Sequence, residues 1–313
     1  MSIGSRVMNT LGKVIFANKF IAAGFILLLA DLVMGIIGAF WTPYSVSSTF
    51  SFSSPPSWRH LLGTDAYGHD VLSEMLHDTL STLLVGFGVG VLVALLSTLI
   101  GLLGGYYAGK VASVIIDIIT ITVLTIPGVI LLVVMGSYFR TANLGLSYSI
   151  TILALALVGW AFGARQIRAQ VLSLSNREYI IASKLIGEKS YRIIFTQLLP
   201  PILPLTFAQF LFGTLYGVLS LVTAEFWGVL PATSSNLGTM LAFITTNAAY
   251  VSNQWWWILG AIIPILILGA GIGLLNIGID EIIDPRLREI KAPKIKRKVV
   301  ITTDEGNQVT IEA

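Results

Sequence analysis

The chain has 313 residues, 55% of them hydrophobic and only 11% charged, with a mean hydropathy of +0.84. A soluble globular domain carries roughly 25% charged residues, so the composition excludes one and indicates an integral membrane protein. The formal charge of +3 does not call for a nucleic-acid partner, since the basic residues sort by membrane side, and the lack of cysteine removes disulfides, thiol chemistry and Cys-based metal sites.

Arg6, Lys13 and Lys19 precede an apolar run from Phe20 to Trp41, about 22 residues or roughly 33 Å of helix. That length spans a bilayer and exceeds a signal-peptide core, so it reads as a retained first span. Further apolar segments run over Leu80 to Tyr107, Val111 to Tyr138, Ser147 to Phe162, Ile202 to Leu230 and Trp255 to Ile279. Six spans place both termini on one side. Of 19 Lys and Arg residues, 17 lie in the N-terminus, at Lys110, between Arg165 and Arg192, or from Arg286 onward, leaving Arg59 and Arg140 for the other side. The positive-inside bias therefore predicts cytoplasmic termini and a cytoplasmic loop from Ser175 to Pro201 in a multi-pass plasma-membrane protein.

The outer segment from Thr42 to Asp78 contains Leu62-Gly63-Thr64-Asp65, then Gly68 and Asp70-Val71-Leu72-Ser73. It closely resembles the L-G-T-D-x-x-G-R-D-V-L-S signature of the di/oligopeptide branch of ABC importer permeases, with His69 where that branch usually has arginine. His60, Asp65, His69, Asp70, Glu74 and His77 have an alternative reading as a metal cluster, because Glu74 and His77 stand at i, i+3 spacing. That unit has no second copy, so a solvated outer loop capping the spans is favoured and no metal site is expected. Gly104 to Lys110 fits G-x-x-x-x-G-K, but Val111 follows in place of Ser or Thr and the glycines follow a helix, so nucleotide binding there is discounted. Gly101, Gly105 and Gly109, and likewise Gly213 and Gly217, recur every four residues and make faces for close packing, within this subunit or against a second one.

Pro127 and Gly128 predict a kink in span three. Asp31 falls in mid-span one, where charge is costly, and leaves open either a role in a path or a structural one; Asp117 and Glu225 fall where snorkelling from helix ends explains them.

Ser175 to Pro201, SNREYIIASKLIGEKSYRIIFTQLLPP, is the one long basic interruption of the apolar sequence. Ser175 and Glu178 have capping-box spacing, which predicts a helix that Gly187 ends in the left-handed conformation. A second helix is expected from Ser190 to Leu199, with Pro200 opening the next segment. The pair reads as two helices lying outside the membrane. Ile181-Ala182-Ser183, Gly187 and Leu199-Pro200 resemble the E-A-A-x-x-x-G and L-P positions of the loop by which ABC importer permeases meet their ATPases, with Ile181 in place of the glutamate; an ordinary amphipathic loop is the alternative.

The segment from Leu230 to Gln254 lacks Lys and Arg, and Trp255, Trp256 and Trp257 read as an interfacial belt. Leu274-Leu275-Asn276-Ile277-Gly278, Asp280 and Asp284-Pro285-Arg286-Leu287-Arg288 resemble the N-L-L-G-D...D-P-R-L-R ending of the peptide branch. In the tail, Val299 to Thr302 and Val309 to Ile311 suit a small hairpin.

The resemblance implies an all-α polytopic membrane protein with the type I ABC importer permease fold: residues 1–79 as N-terminus, first helix and outer loop, 80–288 as a five-helix core with the coupling loop 175–201, and 289–313 as a tail. It implies a binding-protein-dependent importer permease of the C-type, carrying peptides, oligosaccharides or nickel, with no ATPase site or cofactor of its own. ATP and magnesium would sit on two partner ATPase subunits, with a second permease and an extracytoplasmic binding protein completing the system in the bilayer. Glu178, Ile181, Ala182, Ser183, Gly187 and Arg192 would couple to the ATPase; Pro127, Gly128 and Pro200 would be hinges. The competing class is a self-contained secondary transporter or channel, which Asp31 would serve. A membrane enzyme is disfavoured, because no H-E-x-x-H motif is present.

Overall fold

The computed structural model describes residues 18–141, 148–227, 236–283, 298–302 and 308–312. Arg6 and Lys13 of the N-terminus and Asp284, Pro285 and Arg286 of the ending motif lie outside them.

Helix α1, Lys19–Phe40, begins where the Asn18 side chain accepts the Phe20 N–H at 2.8 Å. Helix α2, Val71–Tyr106, is 36 residues long, about 54 Å at 1.5 Å per residue and far more than a bilayer core needs. It starts well before the expected Leu80. The polar residues Ser73, Glu74, His77 and Asp78 break the apolar pattern there, but Asp70 caps the helix by accepting the Ser73 N–H and hydroxyl at 2.9 and 2.8 Å.

The third span is two 14-residue helices, α3 (Val111–Leu124) and α4 (Gly128–Thr141). Each is about 21 Å long, too short to cross alone. The expected kink is thus a break: the N–H groups of Thr125 and Ile126 turn back to Thr122 and Val123, and Pro127 has no N–H to continue the ladder. Helix α5, Tyr148–Ser175, overruns its apolar segment by a dozen residues and carries Arg165 and Arg168 on that extension.

Helix α6, Glu178–Leu185, follows after a two-residue turn. The second helix of the loop is not a separate element. Ser190–Arg192 (α7) runs through a π-helical segment, Ile193–Leu198, into α8, Leu199–Phe226. Pro200 and Pro201 are accommodated because they fall in the first turn of α8, where the register changes: the Leu199 N–H bonds Ile194, five residues back, and the prolines have no N–H to place. The expectation of a helix ending near Leu199 is therefore corrected to a continuous path from Ser190 into span five. Helix α9, Leu237–Thr246, was not anticipated; Asn236 and Thr239 form its capping box. Helix α10, Trp255–Ile283, is the last span.

Five helical stretches are long and apolar enough to cross a membrane, α1, α2, α5, α7 through α8, and α10, with α3 and α4 in the place of the sixth. Helix α2 is the axis of the helical unit. Its Val85, Val89 and Val93 pack on Leu155 of α5 and Leu221 of α8, while Leu83 joins Ile21 of α1 and Leu268 of α10. The small-residue faces serve packing within this chain: a methyl group added at Gly101 would meet Ala164 and Ile167, and one added at Gly213 would meet Val93 and the Gly90 backbone. Gly109 is not part of such a face, since no atom lies within 4 Å of where its side chain would stand. In the C-terminal unit, Asp280–Ala313, strands β1 (Lys298–Thr302) and β2 (Gln308–Glu312) pair antiparallel with Val299 opposite Ile311, as the tail pattern suggested.

Candidate functional site

At one end of the bundle, α6 is fastened by a single deeply buried side chain. Ile180 is fully buried among Ile167, Val171 and Leu174 of α5, Ile193, Ile194 and Leu198 of the π segment, and Leu102 of α2. The helix ends as expected. Gly187 has φ +81°, its N–H bonds the Lys184 carbonyl at 3.2 Å, and the Glu188 N–H bonds Ser183 at 3.0 Å. These paired bonds are the Schellman arrangement.

A polar clamp closes the loop behind that turn. Gln197 Nε2 donates to Ser183 Oγ at 3.0 Å and to Glu188 Oε2 at 2.6 Å. Arg192 Nε pairs with Glu188 Oε1 at 3.1 Å. From α2, Tyr106 donates its hydroxyl to Ser190 Oγ at 3.1 Å and lies beneath the Lys184 ammonium. So α6 is held to three spans at once. Its outward side stays apolar: Tyr179, Ile181, Ala182, Leu185 and Ile186 are exposed, the last two at 82%.

The capping box is not formed. Ser175 is the last residue of α5, buried, and its hydroxyl has no partner among the described residues; Arg177 occupies the N-cap of α6 without a side-chain cap. The reason is the unforeseen length of α5, which absorbs Ser175 before the turn. Glu178 is exposed at the first position of α6.

In the interior, a cavity of about 330 Å³ opens at the break in the third span, lined by Val123, Ile126, Phe162, Gln209, Phe212 and Tyr216 among others. Gly128 is needed there, since a side chain would collide with the Tyr216 hydroxyl. The acidic residues nearest the spans are paired or buried, not snorkelling. Asp117 of α3 forms an ion pair with Arg168 of α5 at 2.5 Å, and Arg168 also reaches Ser113 and the Gly104 carbonyl. Glu225 is 3% exposed and accepts from Asn236 Nδ2. Asp31 is 1% exposed with neither oxygen partnered among the described residues.

At the opposite end, the signature residues tie a knot. Thr64 accepts from Ser54 N at 2.8 Å and donates to the Ser51 carbonyl at 2.6 Å, while its own carbonyl accepts Trp256 Nε1 at 3.1 Å. Asp65 Oδ1 accepts the N–H groups of Tyr67 and His69 at 2.9 and 2.6 Å. Gly63 takes φ +65° with its α-carbon facing the Ser54 carbonyl and the Trp256 ring, and Gly68 takes φ +87° against the Phe50 backbone, so neither admits a side chain. His60 Nδ1 meets Asp70 Oδ1 at 2.8 Å. Trp256 and Trp257 are buried in this knot; of the three tryptophans read as a belt, only Trp255 is exposed.

The residues missed by sequence reasoning are Ile180, Gln197 and Tyr106. A partial signal existed for the first: Ile180, Ile193, Ile194 and Leu198 are among the apolar positions of a basic loop, but Ile181, Leu185 and Ile186 are too and stay exposed, so composition alone does not single out the buried ones.

Residues 97–289 match the family described as binding-protein-dependent transport system inner membrane component. The chain is 29% identical over 277 residues to the dipeptide transport system permease protein DppC of Bacillus subtilis, covering 87% of this chain and 83% of that protein. It is 30% identical over 281 residues to the di/tripeptide transport system permease protein DppC of Pseudomonas aeruginosa, covering 87% and 89%. The dipeptide transport system permease protein DppC of Haemophilus influenzae is 28% identical, over 87% and 92%.

Proposed function

Because this chain belongs to the family of binding-protein-dependent transport system inner membrane components, we propose that it is one of two permease subunits of an ABC importer for short peptides. The relatives named for dipeptides and tripeptides support that solute class. The self-contained carrier finds no support among them.

In this reading, both termini and the 175–201 loop are cytoplasmic, and α6 docks on one of two ATPase subunits that bind ATP and magnesium. The observation that carries it is the build of that loop: exposed apolar residues on the outside, and Ile180 and the Gln197 clamp fixing it to α2, α5 and α8. A helix so fastened moves with the spans. Closure of the ATPase dimer then becomes rotation of the bundle, with little lost to bending of the loop. Glu178, Ile181 and Ala182 would touch the ATPase, while Ser183, Gly187 and Arg192 hold the shape of the contact.

Among the described residues, the G-x-x-x-x-G-K stretch from Gly104 to Lys110 is not built as a phosphate cradle. Gly104 and Gly105 end α2 and pack on Arg168 and Val171 of α5, which leaves no room for a phosphate at those glycines. The cavity at the span-three break, walled mainly by apolar side chains with Gln209 and Tyr216 as polar groups, would be this chain's half of the pathway. The knot at the opposite end would receive the binding protein.

Reconstitution tests this. Vesicles holding this chain, a second permease and both ATPase subunits should take up dipeptide only with ATP inside and binding protein outside. This chain alone should neither hydrolyse ATP nor pass dipeptide. Dipeptide flux through the isolated chain would overturn the proposal in favour of a carrier.

A further inference from the structure

The knot contains three potential metal ligands, of which only the His69–Asp65 contact is explained by a hydrogen bond. His69 Nδ1 stands 3.2 Å from Asp65 Oδ2 and 3.4 Å from Glu74 Oε1, and the three ligand atoms all lie within 4.8 Å of one another. A single ring N–H can donate well to one carboxylate only, and 3.4 Å is beyond the usual range of an N–H···O bond. Zinc binds imidazole nitrogen and carboxylate oxygen at about 2.0–2.2 Å. Two such ligands at a tetrahedral angle are then about 3.3–3.6 Å apart, close to the 3.2 and 3.4 Å found on the two sides of the His69 nitrogen.

Charge points the same way. The carboxylate of Asp65 is 3% exposed and that of Glu74 is 18% exposed. Among the described residues, arginine ion pairs form only at Asp117 and Glu188. His69, the one basic side chain beside Asp65 and Glu74 among the described residues, brings no charge unless protonated. Two carboxyl groups are therefore gathered around a nitrogen that can ligate. A divalent ion satisfies all three groups together.

The surroundings are those of a held ligand set. Asp65 Oδ1 is fixed by the N–H groups of Tyr67 and His69, leaving Oδ2 to point at the imidazole. Outer hydrogen bonds of this kind orient metal-binding carboxylates. Glu74 is in the first turn of α2, behind the Asp70 cap, and so does not move with the loop.

We propose that Asp65, His69 and Glu74 form a binding site for a divalent transition ion of the zinc class, which pins the loop carrying Asp65 and His69 to the start of α2. The mixed nitrogen and oxygen donors favour zinc, cobalt or nickel over magnesium or calcium. Three protein ligands leave a fourth position for water, on the partly exposed side of His69. This goes beyond the transport reading and does not depend on it.

The test uses the purified full-length chain without a polyhistidine tag, titrated with zinc by equilibrium dialysis and with cobalt by visible absorption. One zinc per chain is expected, with a four-coordinate cobalt spectrum and a rise in thermal midpoint on zinc addition. The absence of cysteine means that no thiolate competes. His69→Arg, which replaces the ligating nitrogen with a fixed cation beside both acids, should keep the fold and lose the zinc. Glu74→Gln should weaken binding by at least the about 10–100-fold that loss of an outer-shell partner costs. His77→Gln, at a histidine that pairs with Asp78 instead, should change nothing. Failure to bind zinc stoichiometrically would overturn the site and leave the His69–Asp65 hydrogen bond as its only content. Binding that survives His69→Arg and Glu74→Gln, or that is lost in His77→Gln, would overturn it equally.

Discussion

Replacing Gly187 with valine isolates the geometry of the loop turn from its packing. No atom lies within 4 Å of where a side chain at Gly187 would begin, so the substitution causes no clash. Its entire cost is conformational: at φ +81° an L-residue pays about 1–2 kcal/mol, and a β-branched one sits at the upper end. Such a cost shifts a local equilibrium by about 5–30-fold. Ile180 anchors the start of α6 regardless, so what loosens is the reversal after it: the Glu188 N–H loses Ser183, and the Gln197 clamp loses the carboxylate it bridges to. Membrane insertion should be unaffected, because the turn lies beyond the ends of α5 and α8. In the reconstituted importer, Gly187→Val should reduce recovery of the ATPase subunits with the permease, or lower the peptide moved per ATP hydrolysed. Asparagine, which tolerates the left-handed region better, should fall between glycine and valine. Wild-type assembly and coupling in the valine variant would show that this turn does not transmit motion.

Ser175→Ala should leave α6 intact and cost no more than a few tenths of a kcal/mol, because the hydroxyl it removes caps nothing; a loss near the about 1 kcal/mol of a missing N-cap, measured by thermal unfolding, would restore the capping box. Glu178→Gln should weaken ATPase docking in a pull-down, since losing one side of a desolvated interface charge pair costs about 2–5 kcal/mol of binding, and adding Ile181→Glu one turn away should partly restore it; unchanged docking in Glu178→Gln would mean that the contact at Ile181 is apolar only. For topology, cysteines introduced singly at the exposed positions Thr49 and Lys189 should react from opposite faces of intact cells, and labelling of both by an impermeant reagent from outside would reverse the assignment of the loop.

The element that sequence reasoning placed best is also the one most dependent on local chemistry. Gly187 ends α6 because a left-handed turn needs no partner beyond its own neighbours, so the signal is contained in a few adjacent residues. The spans were legible for a similar reason, being set by length and apolarity. Three boundaries differ from expectation for different reasons: apolarity starts α2 too late, the Ser175–Glu178 spacing suits a cap that the length of α5 pre-empts, and the missing N–H groups of Pro200 and Pro201 suit a first helical turn as well as a stop. Apolarity marks where the bilayer stops, and a helix continues into water wherever a cap or tertiary packing supports it, as Asp70 does for α2 and the Ile180 cluster does for α5 and the π segment.

That distinction bears on function. Helix α5 and the α7–α8 path, which run past their apolar segments at this end, meet the last turns of α2 around Ile180 and Tyr106. Loop 175–201 is thus less a connection between spans than a place where three helices meet and are bolted together. A lever of that kind needs rigid arms and one stiff turn. The sequence displays the turn openly in Gly187, whereas the arms depend on contacts between Leu102, Val171 and Ile193, residues far apart in the chain, whose juxtaposition no local pattern encodes.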